Sequence, residues 1–524
     1  MRVEKLLEAS AARHPDKVAL VTDEARVTYA ELNATADRLA GALRRRGVGR
    51  GDRVVVMLDN SVETVATLFA TLKAGAVFSV MNPTTKGEKL AYVLNNCRAA
   101  AVVTQERLLP MVAGAVAQAP SVGATVVAGS AAEPAVRGGV GLHAALDEAP
   151  AAPAAPVGGE GIDQDLAMVI YTSGSTGSPK GVMMAHSNIL CATRSVAQYL
   201  ELTPDDVLLC VLPLSFGYGL NQIFTSCLVG GTVVLEKSFA YPAATLQKFE
   251  RERVTGFALV PTIAAILLMR NLTPGQFPNL RYITNAAAAL PPAHIARLRE
   301  VFPSTRLYSM YGQTECTRTL FLPPDQLDVR PGSIGKAIPN TEAWIVDETG
   351  RRVGPGEVGE LVVRGGHVMR GYWENPEATE RALRPGPTPG ERVLHSGDLF
   401  RADDEGFLYF VSRKDDIIKT RGEKVSPKEV ENVLYDLPGV REAAVIGVPD
   451  PILGQAIRAV VVLAEDGCLT DRQIIAHCGR HLEDFMVPRS VEFRAELPKT
   501  DSGKIRRTEV QAEALRALEA AAPA

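Results

Sequence analysis

The sequence predicts an α/β fold: a large N-terminal domain of two βαβ-type subdomains plus a small β-barrel-like subdomain, followed by a small α+β C-terminal domain. Helical and strand-like segments alternate from Val27 to about Val103, residues 332–411 are rich in glycine and short strands, and the pattern changes again after Arg413. Such alternation is typical of βαβ units around a parallel sheet. With 524 residues, the chain also exceeds what one hydrophobic core supports.

The first region has the clearest βαβ signals. Ser61 is placed to cap a helix and Gly75 to end it, because a serine oxygen accepts from free N–H groups and glycine tolerates a left-handed turn. The predicted elements are, in order, helix Tyr29–Gly47, strand Arg53–Leu58, helix Ser61–Lys73 and strand Val77–Val80.

Residues 147–161 are rich in alanine, proline and glycine and predict a surface connection. A second α/β stretch follows it, and then the strand-rich region. The predicted strands are Leu166–Ile170, Val207–Leu212, Thr232–Leu235, Gly256–Val260, Ala343–Val346, Gly359–Arg364 and Gly406–Val411, and the predicted helices are Ala243–Arg253 and Pro292–Val301.

The segment after Arg413 is long enough for a separate α+β domain, at about 110 residues. Its predicted elements are helices Lys428–Leu434 and Asp471–His481 and strands Val440–Gly447 and Arg458–Val462. The predicted domains are therefore residues 1–413 and residues 414–524.

Charge and cysteine content exclude several protein classes. The 56 basic and 60 acidic residues nearly cancel, which argues against a nucleic-acid partner. The seven cysteines are scattered without a CxxC pair, so neither a disulfide framework nor a zinc site is indicated. We find no export signal, and the apolar segment Ala258–Met269 is too short to span a membrane. We expect a cytoplasmic protein that is a monomer or a homodimer.

A loop rich in glycine and hydroxyl groups, residues 171–181, follows the predicted strand Leu166–Ile170. Glycines let backbone N–H groups approach phosphate oxygens, while hydroxyls and a lysine add donors and charge. The spacing is not that of a Walker A loop. The alternative, a flexible linker, rarely follows a buried strand or ends in Pro-Lys-Gly. The predicted phosphate-binding residues are Thr172, Ser173, Gly174, Ser175, Thr176, Gly177 and Lys180.

Four further motifs follow this loop. They are Tyr311-Gly-Gln-Thr-Glu315, His395-Ser-Gly-Asp398, the segment 412–425, and the segment 498–507. In this order and at these separations the five motifs closely resemble the ANL superfamily of adenylate-forming enzymes, which includes acyl-CoA synthetases, peptide-synthetase adenylation domains and luciferases. The resemblance covers nearly the whole chain. It implies an N-terminal AMP-binding domain, ATP and Mg²⁺ as cofactors, and adenylation of a carboxylic acid.

Adenylation brings a carboxylate to the α-phosphate of ATP, so the site needs cations and donors where negative charge develops. Glu315 offers a hard oxygen ligand for Mg²⁺, and Thr314 a hydroxyl for the α-phosphate. By resemblance, Lys504 is the mobile lysine that reaches the α-phosphate and the acyl oxygen, where its ammonium acts as a compact point charge. Taken alone, Glu315 and Lys504 would be solvated groups.

The resemblance also implies the nucleoside contacts. Tyr311 offers an aromatic face to adenine, next to Ala287 and Ala288. Asp398 follows a glycine in a turn, which leaves its carboxylate free to accept both ribose hydroxyls, and Arg413 is the second ribose contact. A capping aspartate is the alternative for Asp398.

The C-terminal domain is expected to be a mobile lid. Asp415 matches the family's hinge position, and Gly422 the loop glycine that lines the thiol channel. A swing is required because Lys504 and an incoming thiol cannot occupy the same face of the adenylate. The expected acceptor is CoA or the phosphopantetheine of a carrier protein.

By resemblance, the acid-binding pocket is lined by Phe216, Gly217 and Tyr218, by Asn285 and Ala286, and by Gly312 and Cys316. Gly217 stands where amino-acid-activating relatives usually carry an aspartate, and burying an ammonium group without an anion is costly. We therefore expect a non-amino acid, either aryl or short to medium acyl. The alanines at 286–289 narrow the pocket and disfavour a long chain. By resemblance, Phe216 replaces the histidine found here in many CoA ligases, so this position offers no imidazole to assist the thiol step.

Arg318 leaves two alternatives open. Its guanidinium either binds a second polar or anionic group of the acid, such as that of a dicarboxylate or a hydroxylated aryl acid, or makes a structural salt bridge or backbone contacts.

Three functions compete. The first is an AMP-forming acid–thiol ligase. The second is an adenylating enzyme that activates an amino acid or another oxyanion, or passes the acyl group to an amine. The third is a catalytically silent nucleotide-binding protein, against which Glu315, Asp398 and Lys504 argue.

Overall fold

A computed structural model describes residues 1–129, 133–148, 161–172, 179–270, 272–414, 416–420, 423–450, 453–464, 467–500 and 503–521. Most of the predicted connection at 147–161 lies outside these ranges. The helices of the described residues are α1 Glu4–Arg13, α2 Tyr29–Arg45, α3 Val62–Lys73, α4 Gly87–Asn96, α5 Leu109–Ala117, α6 Leu142–Asp147, α7 His186–Tyr199, α8 Gly217–Val229, α9 Pro242–Arg251, α10 Pro261–Leu268, α11 Pro292–Val301, α12 Pro376–Ala382, α13 Pro427–Tyr435, α14 Asp471–His481 and α15 Arg507–Ala521.

The strands of the described residues are β1 Val18–Val21, β2 Arg26–Thr28, β3 Arg53–Met57, β4 Val77–Val80, β5 Ala99–Gln105, β6 Ala124–Ala128, β7 Gly139–Gly141, β8 Leu166–Thr172, β9 Lys180–Ala185, β10 Val207–Cys210, β11 Thr232–Leu235, β12 Gly256–Leu259, β13 Tyr282–Asn285, β14 Arg306–Tyr311, β15 Leu320–Leu322, β16 Lys336–Ala337, β17 Thr341–Val346, β18 Val358–Gly365, β19 Gly371–Tyr372, β20 Leu383–Pro385, β21 Arg392–Ala402, β22 Leu408–Arg413, β23 Ile418–Thr420, β24 Glu423–Val425, β25 Val440–Asp450, β26 Gly454–Leu463 and β27 Ser490–Phe493.

Two mixed sheets form the body of the N-terminal domain. In the described residues one has the order β16-β15-β14-β13-β12-β10-β11-β1-β2 and the other β19-β9-β8-β4-β3-β5-β6-β7. The strands from β14 to β1 in the first sheet and from β8 to β7 in the second run parallel. Helices connect most of these strands, as βαβ units require.

Helices buried on nearly all sides join the two sheets into one core. Helix α3 follows β3 of one sheet, and almost every one of its residues is buried. Its Phe69 meets Phe224 of α8, which follows β10 of the other sheet, in an edge-to-face contact with ring centroids 6.3 Å apart. The two parallel sheets therefore pack through shared helices, and their strand ends are held in fixed relative positions.

The strand-rich region forms an antiparallel sheet of order β17-β18-β21-β20, with β22 paired to β21, among the described strands. Its main contribution to the site is that β21 and β22 place Asp398 opposite Arg413.

The C-terminal domain is built on β25 and β26. Their alternating side chains face opposite sides, as strand geometry requires. Ala443 and Val445 pack with α13 and α14 on one face, whereas Ala444 and Ile446 pack with α15 on the other. The chain is therefore α/β, with a large N-terminal and a small C-terminal domain.

Most predicted elements occupy their predicted places. Ser61 accepts a hydrogen bond from Thr64 N at 3.2 Å, and Gly75 adopts φ +79°. The strand Lys180–Ala185, which pairs antiparallel with β8, was not predicted. Among the helices of the described residues, none has both the length and the apolarity needed to cross a bilayer.

Candidate active site

The site lies at the carboxyl ends of β12, β13 and β14. These strands are parallel and in register, with Leu259 beside Asn285 and Asn285 beside Ser309. The residues that follow each strand therefore meet at one edge of the sheet, where open α/β sheets bind ligands. Tyr311 ends β14 at this edge, and Thr314 and Glu315 follow in a half-buried loop.

Asp398 is the centre of a buried network. Its Oδ2 accepts hydrogen bonds from the Tyr311 hydroxyl at 2.7 Å and from Gln313 Nε2 at 2.8 Å. Nε of Arg413 lies 3.2 Å from Oδ1, but none of the described residues donates a hydrogen bond to that buried oxygen. A buried carboxylate oxygen with spare capacity suits a ligand hydroxyl. The Tyr311 ring is itself buried, edge-to-face with Phe400 at 5.0 Å.

Glu360 fixes the turn that carries Asp398. Its Oε1 accepts from Gly397 N at 3.0 Å, and Gly397 adopts φ +70°. Nζ of Lys414 and Nδ1 of His395 both lie 3.5 Å from its Oε2. Burial opposes ionisation, but His395, Lys414 and the Gly397 N–H together lower the pKa of Glu360 to about 2. The charged Glu360 thus links the turn that carries Asp398 to Lys414, the residue just before the predicted hinge.

A second chain of contacts starts from Glu315. Its Oε1 accepts from the Tyr372 hydroxyl at 2.8 Å, and Nζ of Lys180 lies 5.5 Å from the Tyr372 ring centroid. Among the described residues, no donor bonds the other carboxylate oxygen of Glu315. Thr172 and Lys180 stand opposite each other at the ends of β8 and β9. The predicted phosphate-binding residues Ser173, Gly174, Ser175, Thr176 and Gly177 lie outside the described residues.

Lys504 comes from the C-terminal domain. It stands on a short hairpin in which its N–H donates to Thr500 Oγ1 at 3.0 Å. The preceding Gly503 adopts φ +78°, and a Cβ there would lie 2.8 Å from Thr262 Oγ1 of α10. The hairpin therefore packs against α10 of the N-terminal domain. The Lys504 side chain reaches solvent, yet the surrounding protein lowers the pKa of its ammonium group to about 8, and the nearby Arg413 guanidinium adds to this effect.

Arg507 ties the Lys504 hairpin to the linker between the domains. Its Nη1 donates to Asp416 at 2.7 Å, and its Nη2 donates to Glu431 of α13 at 2.6 Å. Asp416 N in turn donates to the Arg413 carbonyl at 3.1 Å. The predicted hinge residue Asp415 and channel residue Gly422 lie outside the described residues.

The predicted acid pocket begins at α8. Phe216 precedes this helix and is half-buried, and a Cβ on Gly217 would meet open space. Tyr218 is buried, and its hydroxyl shares a 2.6 Å hydrogen bond with Thr284 of β13. This bond joins the two segments predicted to line the pocket.

The segment after β13 carries local strain. Ala287 adopts φ +73°, a left-handed conformation that costs a residue with a Cβ roughly 1–2 kcal/mol. Asn285 Nδ2 donates to the Ala288 carbonyl at 2.9 Å, and Ala286 is buried. Asn285 Oδ1 is buried and accepts no hydrogen bond within the described part of the chain.

The loop after β14 folds back closely on itself. A Cβ on Gly312 would lie 2.2 Å from the Thr317 carbonyl oxygen, so a glycine is required there. Cys316 is fully buried, and burial raises the pKa of its thiol to about 12, which makes it an unreactive wall residue. Arg318 is buried without a carboxylate within 4.0 Å among the described residues, so the salt bridge considered from the sequence is not formed. The backbone contact considered with it is present, because Nη1 of Arg318 donates to the Thr317 carbonyl at 3.2 Å.

Sequence reasoning missed three residues of the site. Gln313 and Tyr372 hold the carboxylates of Asp398 and Glu315, and Glu360 holds the turn before Asp398. The signals were weak: Gln313 lies inside the motif Tyr311–Glu315, and Glu360 is one of two charged residues of strand β18, with Arg364.

Comparison with known proteins agrees with this geometry. The AMP-binding enzyme family matches residues 7–373, and the AMP-binding enzyme C-terminal domain matches residues 429–504. A feruloyl-CoA synthase of Amycolatopsis is 36% identical over 492 residues, which is 93% of each chain. A long-chain-fatty-acid–CoA ligase of Salmonella typhimurium is 32% identical over 540 residues, covering 97% of this chain and 94% of its own.

A solved anthranilate CoA ligase in complex with anthranoyl-AMP has a TM-score of 0.90 at 28% identity, covering 99% of this chain and 98% of its own. The family match, the shared fold and the converging site residues give one conclusion. The chain belongs to the AMP-binding enzymes of the ANL superfamily of adenylate-forming enzymes and is an AMP-forming ligase.

Proposed function

We propose that this enzyme adenylates a non-amino carboxylic acid, aryl or short to medium in length, and transfers the acyl group to the thiol of CoA. The supporting observation is that the hairpin of Lys504, from the C-terminal domain, packs against Thr262 of α10 in the N-terminal domain. The charges of Asp398 and Arg413 also act on the pKa of Lys504, which supports a role for its ammonium group near the proposed ribose site.

In the first step, a carboxylate oxygen of the acid attacks the α-phosphorus of ATP, and the bond to pyrophosphate breaks. Asp398 and Arg413 would hold the ribose, and Thr172 and Lys180 would help hold the leaving phosphates. Lys504 would stabilise the negative charge that develops on the α-phosphate and acyl oxygens. In the second step the thiolate attacks the acyl carbon, and AMP leaves.

Mg²⁺ fits the residues at Glu315. In described parts of the chain, no group of three or more His, Cys, Asp or Glu side chains forms a metal cage. A protein usually binds a phosphate-bound Mg²⁺ ion through only one or two carboxylates. Glu315 has one carboxylate oxygen that accepts no hydrogen bond from the described residues, and this oxygen could bind the ion. Tyr372 would orient Glu315 for this role. The ion would supply charge neutralisation on the phosphates.

The acid is assigned from the pocket. Gly217 has no side chain, and the space that a Cβ would occupy there is open. The ammonium group of an amino acid would therefore find no counter-charge at this position. The buried side chains of Tyr218 and Arg318 stand beside Gly217 and Thr317, and we infer that they close the pocket to a long chain. Among the relatives, feruloyl-CoA synthase and anthranilate CoA ligase are named for aryl acids, and this supports the aryl assignment more than the fatty-acid one.

CoA is preferred as the acceptor because the relatives are named as CoA ligases. Carrier-protein phosphopantetheine and amine acceptors are the alternatives. We place the boundary between the AMP-binding domain and the lid at residues 413 and 414.

The test is an ATP–pyrophosphate exchange screen over aryl, aliphatic and amino acids, followed by thioester assays with CoA and with a loaded carrier protein. Exchange with aryl or short acyl acids and thioester formation with CoA are expected. A strong preference for an amino acid would contradict the interpretation of Gly217. Exchange without any thioester would contradict the thiol step.

A further inference from the structure

Arg318 is a buried cation in the wall of the proposed acid pocket. Its residue is 4% exposed, and the carbon of its guanidinium group lies 4.2 Å from the Tyr218 ring centroid. Tyr218 follows Gly217, where a side chain would meet open space, and bonds to Thr284 of β13. The guanidinium therefore packs on a ring that joins the two segments assigned to the acid.

The charge of Arg318 is not balanced by the described residues. Its one hydrogen bond of standard geometry there goes from Nη1 to the neighbouring Thr317 carbonyl, while Nε and Nη2 are buried without an acceptor. Other well-buried cations of this chain are paired. Lys73 contacts Glu8 and Asp37, and Lys248 contacts Asp23 and Glu236. A buried unpaired charge is costly, so this charge points to a partner other than the described side chains.

The aromatic neighbours do not supply the missing negative charge. Burial raises the pKa of Tyr218 to about 12, although the Arg318 guanidinium acts against this shift. Burial also raises the pKa of Tyr199, against the opposing charge of Arg318 and a hydrogen bond with it, and the Tyr199 hydroxyl donates to Met310 Sδ at 2.9 Å. Both phenols are thus neutral near pH 7. The cation–π contact with Tyr218 and the Tyr199 hydroxyl offset part of the desolvation cost but supply no negative charge.

The two free nitrogens specify the shape of the partner. Nε and Nη2 lie on one edge of the planar guanidinium and direct their N–H groups in parallel. A carboxylate matches this edge with two hydrogen bonds, whereas a hydroxyl or a carbonyl oxygen satisfies one N–H and leaves the charge unbalanced.

We propose that the acid activated by this enzyme carries a second carboxylate, which forms a bidentate ion pair with Nε and Nη2 of Arg318. The inference rests on the proposed function, since it concerns the same acid pocket. It narrows the substrate class to dicarboxylic acids, or aryl acids with a second carboxylate, whose reacting carboxylate points toward Lys504. Arg318 is then a specificity-determining residue that touches the substrate but takes no part in bond making.

The experiment compares matched acids in ATP–pyrophosphate exchange. The pairs are benzoate with isophthalate and terephthalate, phenylacetate with 4-carboxyphenylacetate, and hexanoate with adipate, and 3-hydroxybenzoate serves as the neutral polar analogue. In the wild type we expect a diacid of at least one pair to have the higher kcat/KM. Arg318→Met should lower kcat/KM for that diacid by about 10²-fold, mainly through KM, as expected for loss of one partner of a buried charge pair.

Three controls distinguish the loss of the ion pair from general damage to the enzyme. Under Arg318→Met, the matched monoacid should keep its kcat/KM or gain, because the pocket becomes apolar. Arg318→Lys should retain part of the diacid preference. Arg352→Met removes another arginine stacked on an aromatic ring, at 4.6 Å from Trp344 in the antiparallel sheet, and should leave the diacid preference unchanged.

Preference for the monoacid or for 3-hydroxybenzoate in every set would overturn the proposal and leave the ligase function standing. An equal loss for all acids in Arg318→Met, with a lower Tm, would assign Arg318 a structural role and overturn it too. The wild-type comparison needs no variant and decides the question even if Arg318→Met does not fold. An absence of exchange with every acid would reject the proposed function itself.

Discussion

Lys504 shows how one side chain depends on its surroundings. Its pKa is lowered to about 8 by surrounding protein and by the positive charge of Arg413, against the opposing effect of Asp398. An unperturbed lysine holds its proton to about pH 10. The ammonium form, which the proposed adenylation step uses, therefore predominates below pH 7 and is lost as the pH rises through 8.

We expect kcat/KM for ATP–pyrophosphate exchange to fall above about pH 8, because this parameter reports ionisations of the free enzyme. Lys504→Ala should lower exchange by about 10²–10³-fold, the scale for losing one transition-state donor. The pH profile of Lys504→Arg is the control, since a guanidinium keeps its charge and should show no alkaline decline near pH 8. If Lys504→Ala kept near-wild-type exchange, the assigned role of Lys504 would be wrong.

At the scale of elements, the start of α15 holds the hairpin that carries Lys504. Arg507 opens this helix three residues after Lys504 and bonds Asp416 of the linker and Glu431 of α13. Glu431 also accepts from Val445 N of β25 at 3.0 Å. One guanidinium thus connects the hairpin, the linker and the central hairpin of the C-terminal domain.

Arg507→Met should destabilise the C-terminal domain by roughly 1–3 kcal/mol, below the cost for a fully buried pair because solvent reaches Asp416 and Arg507. It should also lower the rate of pyrophosphate exchange by about 10-fold or more, because the hairpin that carries Lys504 is no longer held in position. Thermal unfolding and exchange assays measure the two effects.

The matched control is Arg506→Met. Arg506 is exposed and pairs with Glu509 of the same helix at 3.4 Å, so its loss should cost less than about 0.5 kcal/mol. Equal effects of the two substitutions would show that the bridge through Arg507 does not position Lys504.

At the scale of the whole molecule, the two domains meet in direct contact. Gly503 lies against Thr262, and His294 of α11 packs edge-to-face on Tyr435 of α13 with ring centroids 5.8 Å apart. Under the proposed function, Lys504 and an incoming thiol would need the same face of the adenylate. We therefore propose that thioester formation separates these contacts and turns the C-terminal domain about its linker.

Asp415→Pro should restrict this turn, because proline fixes φ near −65°. We expect pyrophosphate exchange to stay near the wild-type rate and thioester formation to slow by about 10-fold or more, as for a conformational step that limits turnover. Asp415→Ala keeps the backbone free and should preserve both half-reactions. Equal loss of both half-reactions in the proline variant would contradict the hinge assignment.

The bounds of helices and strands were predicted most accurately where a local sequence signal marks the start or end of the element. Pro292–Val301 and Asp471–His481 match the structure at both ends, and each has a local start signal, Pro292 in the first turn and Thr470 as a capping residue. The β25–β26 hairpin is longer than predicted, because cross-strand pairing extends it to Asp450. Such an extension depends on the partner strand, which local periodicity does not report.

The sequence by itself determined the family, the α/β class and the residues on which the proposed chemistry rests, because Glu315, Asp398 and Lys504 lie in motifs whose spacing is fixed. Tertiary structure alone decided which charges are balanced. It joined Glu360 to the turn before Asp398 and Tyr372 to Glu315, and it left two nitrogens of Arg318 without acceptors. The physical reason is that desolvation and pairing depend on neighbours that lie far apart along the chain.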